Sequence, residues 1–278
     1  MSEDNGTAAV TPSGFGSREL AIVVCLALAV FIAVGLMAMG FVSRRSVALA
    51  SSGGLPVAAY SSGPELPALD WRRVGGSVQG RPILMASFGS GKRRMLVIGG
   101  IHGSEFGAGV AEQFASCLNA NPAAVPAGVR VDVVACANPD GRAANKKGNA
   151  DAVNLNGNFP TKNWKPQQYL TTTAGPRAGS EPETQAIMRL LKARYVRVIS
   201  LHSQGGFVDY DGPDGVELAS RVASAAGLPV KKLGPVAMYA GSLGTYVPER
   251  YGIPVITVEL TSREMTPMVL AGLLAAVR

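Results

Sequence analysis

Two imidazoles and a carboxylate are the first side chains in this sequence able to do chemistry together. His102 and His202 are its only histidines. His102 follows the apolar run LVIGGI, and His202 closes the run VISL. A strand that ends in a histidine delivers an imidazole to the rim of a sheet, where α/β proteins place their ligands. Glu105 follows His102 by three positions, close enough for both to hold one ion. Two imidazoles with one carboxylate make a catalytic zinc set, because three protein ligands leave a fourth position open for water. Either histidine alone reads more simply as a packed or solvated side chain, so the case depends on the elements and motifs around them.

Those elements alternate between two periods. Residues 94–99 form a compact apolar strand, and residues 108–118 (AGVAEQFASCL) have helical spacing. Residues 129–135 (VRVDVVA) form a second strand. Residues 181–195 predict an amphipathic helix with Ile187, Leu190 and Leu191 on one face; Pro182 and two acids in its first turn mark the start. A third strand follows at 196–201, a helix over 215–226 closed by Gly227, a β-branched strand at 254–260 and a last helix over 267–277. Such alternation predicts an α/β fold: a mixed, mostly parallel, twisted sheet with helices on both faces. His102, Asn138, His202 and Glu259 all fall at or just beyond strand ends. In parallel strands those ends gather along one edge.

Between residues 137 and 173 there is little periodic apolar sequence, and Asn, Gly and Lys abound. A stretch this long without regular structure is usually functional or disordered.

The motifs in order are His102-Gly103-Ser104-Glu105, Asn138-Pro139-Asp140-Gly141, the Asn154-Leu155-Asn156-Gly157-Asn158-Phe159-Pro160 run, the lone strand-end His202, and Glu259 within Thr257-Val258-Glu259-Leu260. In this order they resemble the carboxypeptidase A-like zinc metallopeptidases. The phrases GSEPETQA at 179–186 and GSLG at 241–244 draw the chain nearest the murein peptide amidases within that family. The resemblance covers residues 79–278. It implies a zinc carboxypeptidase-like fold, His102, Glu105 and His202 as ligands of Zn2+, and Glu259 as the catalytic carboxylate. That assignment fits the chemistry: zinc polarises a carbonyl and lowers the pKa of water toward neutrality, and a nearby carboxylate can take and return a proton.

The chain departs from the family pattern in the long loop. Lys147 stands at the family's first arginine, which helps to stabilise the oxyanion, with Asn149 two residues on; Ala152 replaces a glycine and Asn154 an aspartate. Lysine supplies the charge as a point rather than as a planar fork, so Lys147 is the candidate for that catalytic role. Gly157 replaces the second arginine, which in the family grips a substrate carboxylate beside the asparagine matched by Asn156. Asn156 and Arg142 are then the substrate-binding candidates, with Lys146 and Arg177 as other nearby cations. A lost bidentate contact implies a changed substrate, weaker binding or decayed activity.

The chain is 278 residues long, with 47% hydrophobic and 16% charged residues and a net charge of +7. Residues 20–42 (LAIVVCLALAVFIAVGLMAMGFV) carry no charge, and as a helix they would span about 34 Å, enough for a bilayer core. The leader before them has Glu3 and Asp4 and no basic n-region, unlike a signal peptide. They read as one transmembrane helix, behind an N-terminal tail at 1–19. Residues 43–65, rich in Ala, Ser, Gly and Pro, read as a flexible linker, and residues 66–278 as one catalytic domain. Arg18 before the span and Arg44 and Arg45 after it give only a small excess toward a cytoplasmic C-terminal side. Long domains translocate regardless of charge, so both sides of the membrane stay open. The cations are scattered and not interleaved with aromatics, which argues against nucleic acid as a partner. Three cysteines without CxxC spacing predict no structural metal site.

The expectation is a membrane-anchored zinc peptidase or amidase. The resemblance implies a murein-derived peptide substrate, cut between γ-D-glutamate and diaminopimelate. Two alternatives follow from Gly157: a zinc deacylase or esterase acting on substrates without a free carboxylate, and an inactive zinc-binding module that holds wall fragments.

Overall fold

Four apolar runs, RRMLVI, VRVDVV, RVISLHS and VITVEL, build the middle of one seven-stranded sheet. Near-continuous apolar sequence suits strands covered on both faces, because neither side of the pleat meets water. In the computed structural model, which describes residues 69–234 and 240–278, these are β3 (Arg93–Ile98), β4 (Val129–Val134), β5 (Arg197–Ser203) and β7 (Val255–Leu260). The shorter β1 (Arg72–Gly76), β2 (Pro82–Phe88) and β6 (Phe207–Asp211) complete the order β1-β2-β4-β3-β5-β7-β6. The helices are α1 (Gly107–Ala120), α2 (Pro139–Ala144), α3 (Pro182–Leu191), α4 (Gly215–Ala226), α5 (Leu243–Tyr251) and α6 (Pro267–Val277).

The sheet is mixed, as expected, but only half of its pairings are parallel. β4, β3, β5 and β7 are parallel to one another, whereas β1 with β2, β2 with β4, and β6 with β7 pair antiparallel. The reason lies in the connections. A parallel partner needs a crossover of a dozen or more residues. β1 turns into β2 within residues 77–81, and β5 passes to β6 through residues 204–206, so both must return from the end they reached.

Helices do cover both faces, as expected. On one side Phe114, Leu118, Leu218, Val222, Leu270 and Leu273 bring α1, α4 and α6 onto the sheet. On the other, Ile187, Leu191, Tyr246 and Val247 seat α3 and α5. The helix expected over 181–195 stops at Leu191. Arg194 adopts a left-handed conformation (φ 56°), which turns the chain so that Tyr195 reaches Asp132 in β4. Cys117 and Cys136 are both buried. Among the described residues no helix is long and apolar enough to cross a membrane. The tail, span and linker expected at 1–65 lie outside the described residues.

Asp132 is a charged group inside the sheet. It is fully buried and accepts from Ser87 Oγ at 2.6 Å, Arg94 Nη2 at 2.9 Å, Arg130 Nε at 2.9 Å and Tyr195 Oη at 2.8 Å. Burial alone would raise its pKa, but these hydrogen bonds outweigh it and hold the carboxyl below the usual range. A depressed folded pKa contributes stability above the unfolded value, about 3.9, and loses it as pH falls through the folded value. Asp132→Ala leaves two guanidinium groups and a phenol without their acceptor. It is expected to cost about 3–5 kcal/mol at neutral pH, measured by urea unfolding. The gap from the parent protein should close as pH is lowered toward about 2; a gap constant with pH would remove the charge from the explanation.

Candidate metal centre

The centre forms where β3, β5 and β7 end. After β3 the chain passes through a glycine-rich turn to α1, and the Glu105 N–H donates to the His102 carbonyl at 3.3 Å. That turn packs on the backbone of α2: a Cβ at Gly103 would lie 2.1 Å from the Gly141 carbonyl carbon. Only glycine permits so close an approach of two backbones. His202 needs no turn. It sits within β5 and pairs in register with Glu259 of the parallel neighbour β7, so the two side chains stand side by side on one face.

His102 Nδ1 lies 2.7 Å from Glu105 Oε1, and His202 Nδ1 lies 3.2 Å from Glu105 Oε2. One ligand atom from each of the three residues falls within 4.8 Å of the others. The imidazoles meet edge to face, with centroids 4.9 Å apart. Glu105 Oε2 also accepts the Ser203 N–H at 3.1 Å. Both histidines are buried, and burial disfavours the charged form of His102 against the opposing pull of Glu105. Burial alone would raise the Glu105 pKa, but its contacts with the two imidazoles hold it far below the ordinary carboxylate range.

The tautomer tests whether a cation fits. Asn154 Oδ1 accepts the Asn156 N–H at 3.1 Å, which identifies that atom as the oxygen. His102 Nε2 lies 2.9 Å from the same oxygen and must donate its proton there. His102 Nδ1 then keeps its lone pair and faces a carboxylate oxygen. Two acceptors that close require a proton or a cation between them. With two imidazole nitrogens and one carboxylate around the same space, the donor set suits zinc with an open position. Partners of this kind orient the ligand histidine, and their loss typically costs 10–100-fold in metal affinity. Asn154→Ala is therefore expected to weaken zinc binding by about 10–100-fold, measured by competition with a chromophoric chelator. An unchanged Kd would strip Asn154 of this role.

Glu259 is half-buried beside this group. Burial raises its pKa and the Glu105 charge adds to that; His202, the Gly205 N–H and Lys147 oppose it. Lys147 is exposed. Its carbonyl accepts from Gly103 N and Asn138 Nδ2, each at 3.3 Å, which ties the lysine to the His102 turn. Its charge acts on both His102 and Glu259.

The remaining candidates are held differently. Asn156 Oδ1 accepts the Leu243 N–H at 2.9 Å, pinning the 155–157 turn to the start of α5. Arg142 spends its fork on Glu112, at 2.6 and 2.9 Å, and among the described contacts none joins it to the histidines or Glu259. Beside Gly157 the space is filled: a Cβ there would lie 2.7 Å from Tyr169 Oη, and Trp164 Nε1 donates to the Gly157 carbonyl at 3.1 Å. Among the described residues the buried Tyr169 hydroxyl has no hydrogen-bond partner. Tyr169 was not visible as a site residue in the sequence, since it lies twelve positions beyond Gly157 and in no motif.

Side-chain amides order the long loop. Asn149 Nδ2 donates to buried Glu181 at 2.6 Å and Glu183 at 3.2 Å, while its oxygen accepts from Asp151 N and Val153 N. Asn158 Nδ2 reaches Ala174 O, Arg177 O and Ser180 Oγ. The asparagines thus supply the hydrogen bonds that regular structure would otherwise make.

Residues 68–226 match the zinc carboxypeptidase family. Murein peptide amidase A of Vibrio campbellii (strain ATCC BAA-1116) is 32% identical over 201 residues, 67% of this chain and 77% of that protein. Murein peptide amidase A of Escherichia coli (strain K12) is 32% identical over 170 residues, 56% of this chain and 67% of that protein. The structure resembles the murein-tripeptide amidase of Escherichia coli O157 with a TM-score of 0.62 and 26% identity, covering 80% of this chain and 96% of that one. Thrombin-activatable fibrinolysis inhibitor shares the fold at a TM-score of 0.63 and 16% identity, over 75% of this chain and 68% of that one.

Proposed function

Because this chain belongs to the zinc carboxypeptidase family, and is thereby a zinc metallopeptidase, we propose that it hydrolyses an amide bond in a small murein-derived peptide, between γ-D-glutamate and diaminopimelate. The observation that carries the reading is the convergence of His102, Glu105 and His202 within 4.8 Å, with Glu259 in register beside His202. In this reading the first three hold zinc, which when bound supplies a Lewis acid and an acidified water. Glu259 takes the proton of the attacking water and hands it to the departing amine nitrogen. Its raised pKa suits both halves of that exchange, since proton transfer is most effective near the operating pH. Lys147 brings positive charge toward the carbonyl oxygen as it becomes negative. Asn156, whose oxygen is spent on Leu243, offers its amide N–H groups to substrate. Residues 20–42 anchor the chain in a membrane, residues 43–65 tether it, and residues 66–278 form the catalytic domain.

The test is zinc-loaded full chain in detergent with L-Ala-γ-D-Glu-diaminopimelate, following release of diaminopimelate. The same tripeptide with its carboxylates amidated serves as comparison. Release from the free acid and not from the amide supports the reading. Tyr169 packed over Gly157 favours a second reading, a deacylase or esterase that needs no free carboxylate. Equal rates on both tripeptides, with turnover of N-acyl and ester substrates, would select it. Zinc and fragment binding with no turnover on any of them would leave a binding module.

A further inference from the structure

The end of the sheet opposite the metal centre carries a concentration of unpaired positive charge. A groove of about 550 Å³ lies between α3 and α5, lined by Lys192, Arg194 and Arg250 together with Met188, Tyr246 and Tyr251. Both helices lead directly into the parallel strands β5 and β7, so the groove lies toward the end where those strands begin. At the same end Arg93 opens β3 and Arg197 opens β5, two register positions apart. Arg197 is disfavoured as a cation first by burial and then by the charges of Arg221 and Arg93. Lys92, Arg93, Lys192, Arg194 and Arg250 are exposed and Arg197 is half-buried.

Among the described residues none of these six cations has a carboxylate within ion-pair distance, whereas Arg81, Arg142 and Lys232 elsewhere each hold one. The acid buried nearby, Asp132, is committed to Arg94 and Arg130. Glu249, next to Arg250 in sequence, accepts the Lys162 N–H instead. Charge gathered without partners repels itself and draws anions. Three of these cations share the groove, while Lys92, Arg93 and Arg197 lie at the starts of β3 and β5, so the charge extends beyond the groove, which suits a charged surface better than a single small anion. Tyr251 and Met188, both half-buried in the groove, suit an interface, where a ring with a polar tip bridges lipid and water. β1, the first described strand, also starts at this end: it is antiparallel to β2, and β2 to β4, so it runs in the direction of the parallel strands.

We propose that this basic end docks on an anionic phospholipid surface, so that the edge bearing His102, His202 and Glu259 faces away from the bilayer. The reading of residues 20–42 as an anchor enters only as what would hold the domain near that surface.

The test reconstitutes the full chain in vesicles of phosphatidylcholine alone or with about 30% phosphatidylglycerol. Acetylation by a membrane-impermeant reagent is followed by mass spectrometry at Lys92 and Lys192, with Lys146 as reference. Lys92 and Lys192 are expected to react about tenfold more slowly on anionic than on neutral vesicles, with Lys146 unchanged. About 0.5 M NaCl should restore their reactivity. Combining Lys192→Glu, Arg194→Glu and Arg250→Glu should restore it at Lys92, with hydrolysis of soluble tripeptide in detergent preserved as the check on folding. Equal labelling on both vesicles, or protection of Lys146 instead, overturns the proposal. So does equal protection by soluble polyphosphate beside neutral vesicles, which would assign the surface to free polyanions. Flotation with neutral vesicles at high salt examines the anchor separately. If it fails there while salt-sensitive flotation on anionic vesicles persists, the anchor falls and the docking surface stands.

Discussion

Glu259→Gln is expected to lower kcat by about 10²–10⁴-fold, the usual contribution of a positioned general acid–base, with zinc content and fold unchanged. The substitution keeps the shape and a carbonyl oxygen that can still accept from the Gly205 N–H, but it cannot accept a proton. Two things make Glu259 the residue to change. It stands in register with His202 across the parallel pair β5–β7, and burial together with the Glu105 charge raises its pKa from the ordinary carboxylate value. A group used only in the transition state lowers kcat and kcat/KM together and leaves KM nearly constant. The assay is steady-state hydrolysis of the tripeptide with zinc counted by atomic absorption. Turnover within a few-fold of the parent protein, at full zinc occupancy, would exclude Glu259 from the proton transfer.

His202→Ala should remove the metal and with it nearly all activity. Glu105 is held between two imidazoles, at 2.7 Å and 3.2 Å. Without His202, one carboxylate oxygen retains only the Ser203 N–H, and two ligands remain of three. A bound zinc supplies several kcal/mol of transition-state stabilisation, so its loss predicts a fall of about 10³-fold or more at 1.36 kcal/mol per decade. Two further readouts separate metal loss from misfolding. The variant should emerge from dialysis against chelator without zinc while its circular dichroism matches the parent, because Ile199 and Leu201 still hold β5 in the core. Added zinc should raise the Tm of the parent and not of the variant; ligand at 100 times its Kd stabilises by about 2.7 kcal/mol. A variant that binds zinc as tightly as the parent would place the metal elsewhere.

Much of the centre was legible because its residues sit in local patterns. Strands β3, β4, β5 and β7 announce themselves as short β-branched runs, and their ends carry His102, His202 and Glu259. Helices α1, α4 and α6 follow from apolar spacing and from their glycine and proline punctuation. The misses share a cause. β1, β2 and β6 are outer strands whose sequences have no clean alternation, and it was their short connections that made half of the pairings antiparallel. The helix forecast to 195 ended at Leu191 because Tyr195 is drawn to Asp132, sixty-three residues away. Arg142 looked free in the sequence, but Glu112 of α1 had already claimed it. Gly157 read as a lost arginine, and only the structure placed Tyr169 over the gap.

By itself the sequence determined the types of the reacting groups, the order of the core elements and the edge of the sheet on which the groups fall. These depend on periodicity and on residues three or four apart, which a linear chain displays directly. The tertiary structure alone decided that Glu105 reaches both imidazoles, that Asn154 orients His102, that Arg142 is spent on Glu112 and that no carboxylate among the described residues pairs with the cations at the far end of the sheet. Each of those depends on the register and packing of elements far apart in the chain. A side chain's partner is whatever the fold brings within about 3 Å, and sequence distance does not encode it.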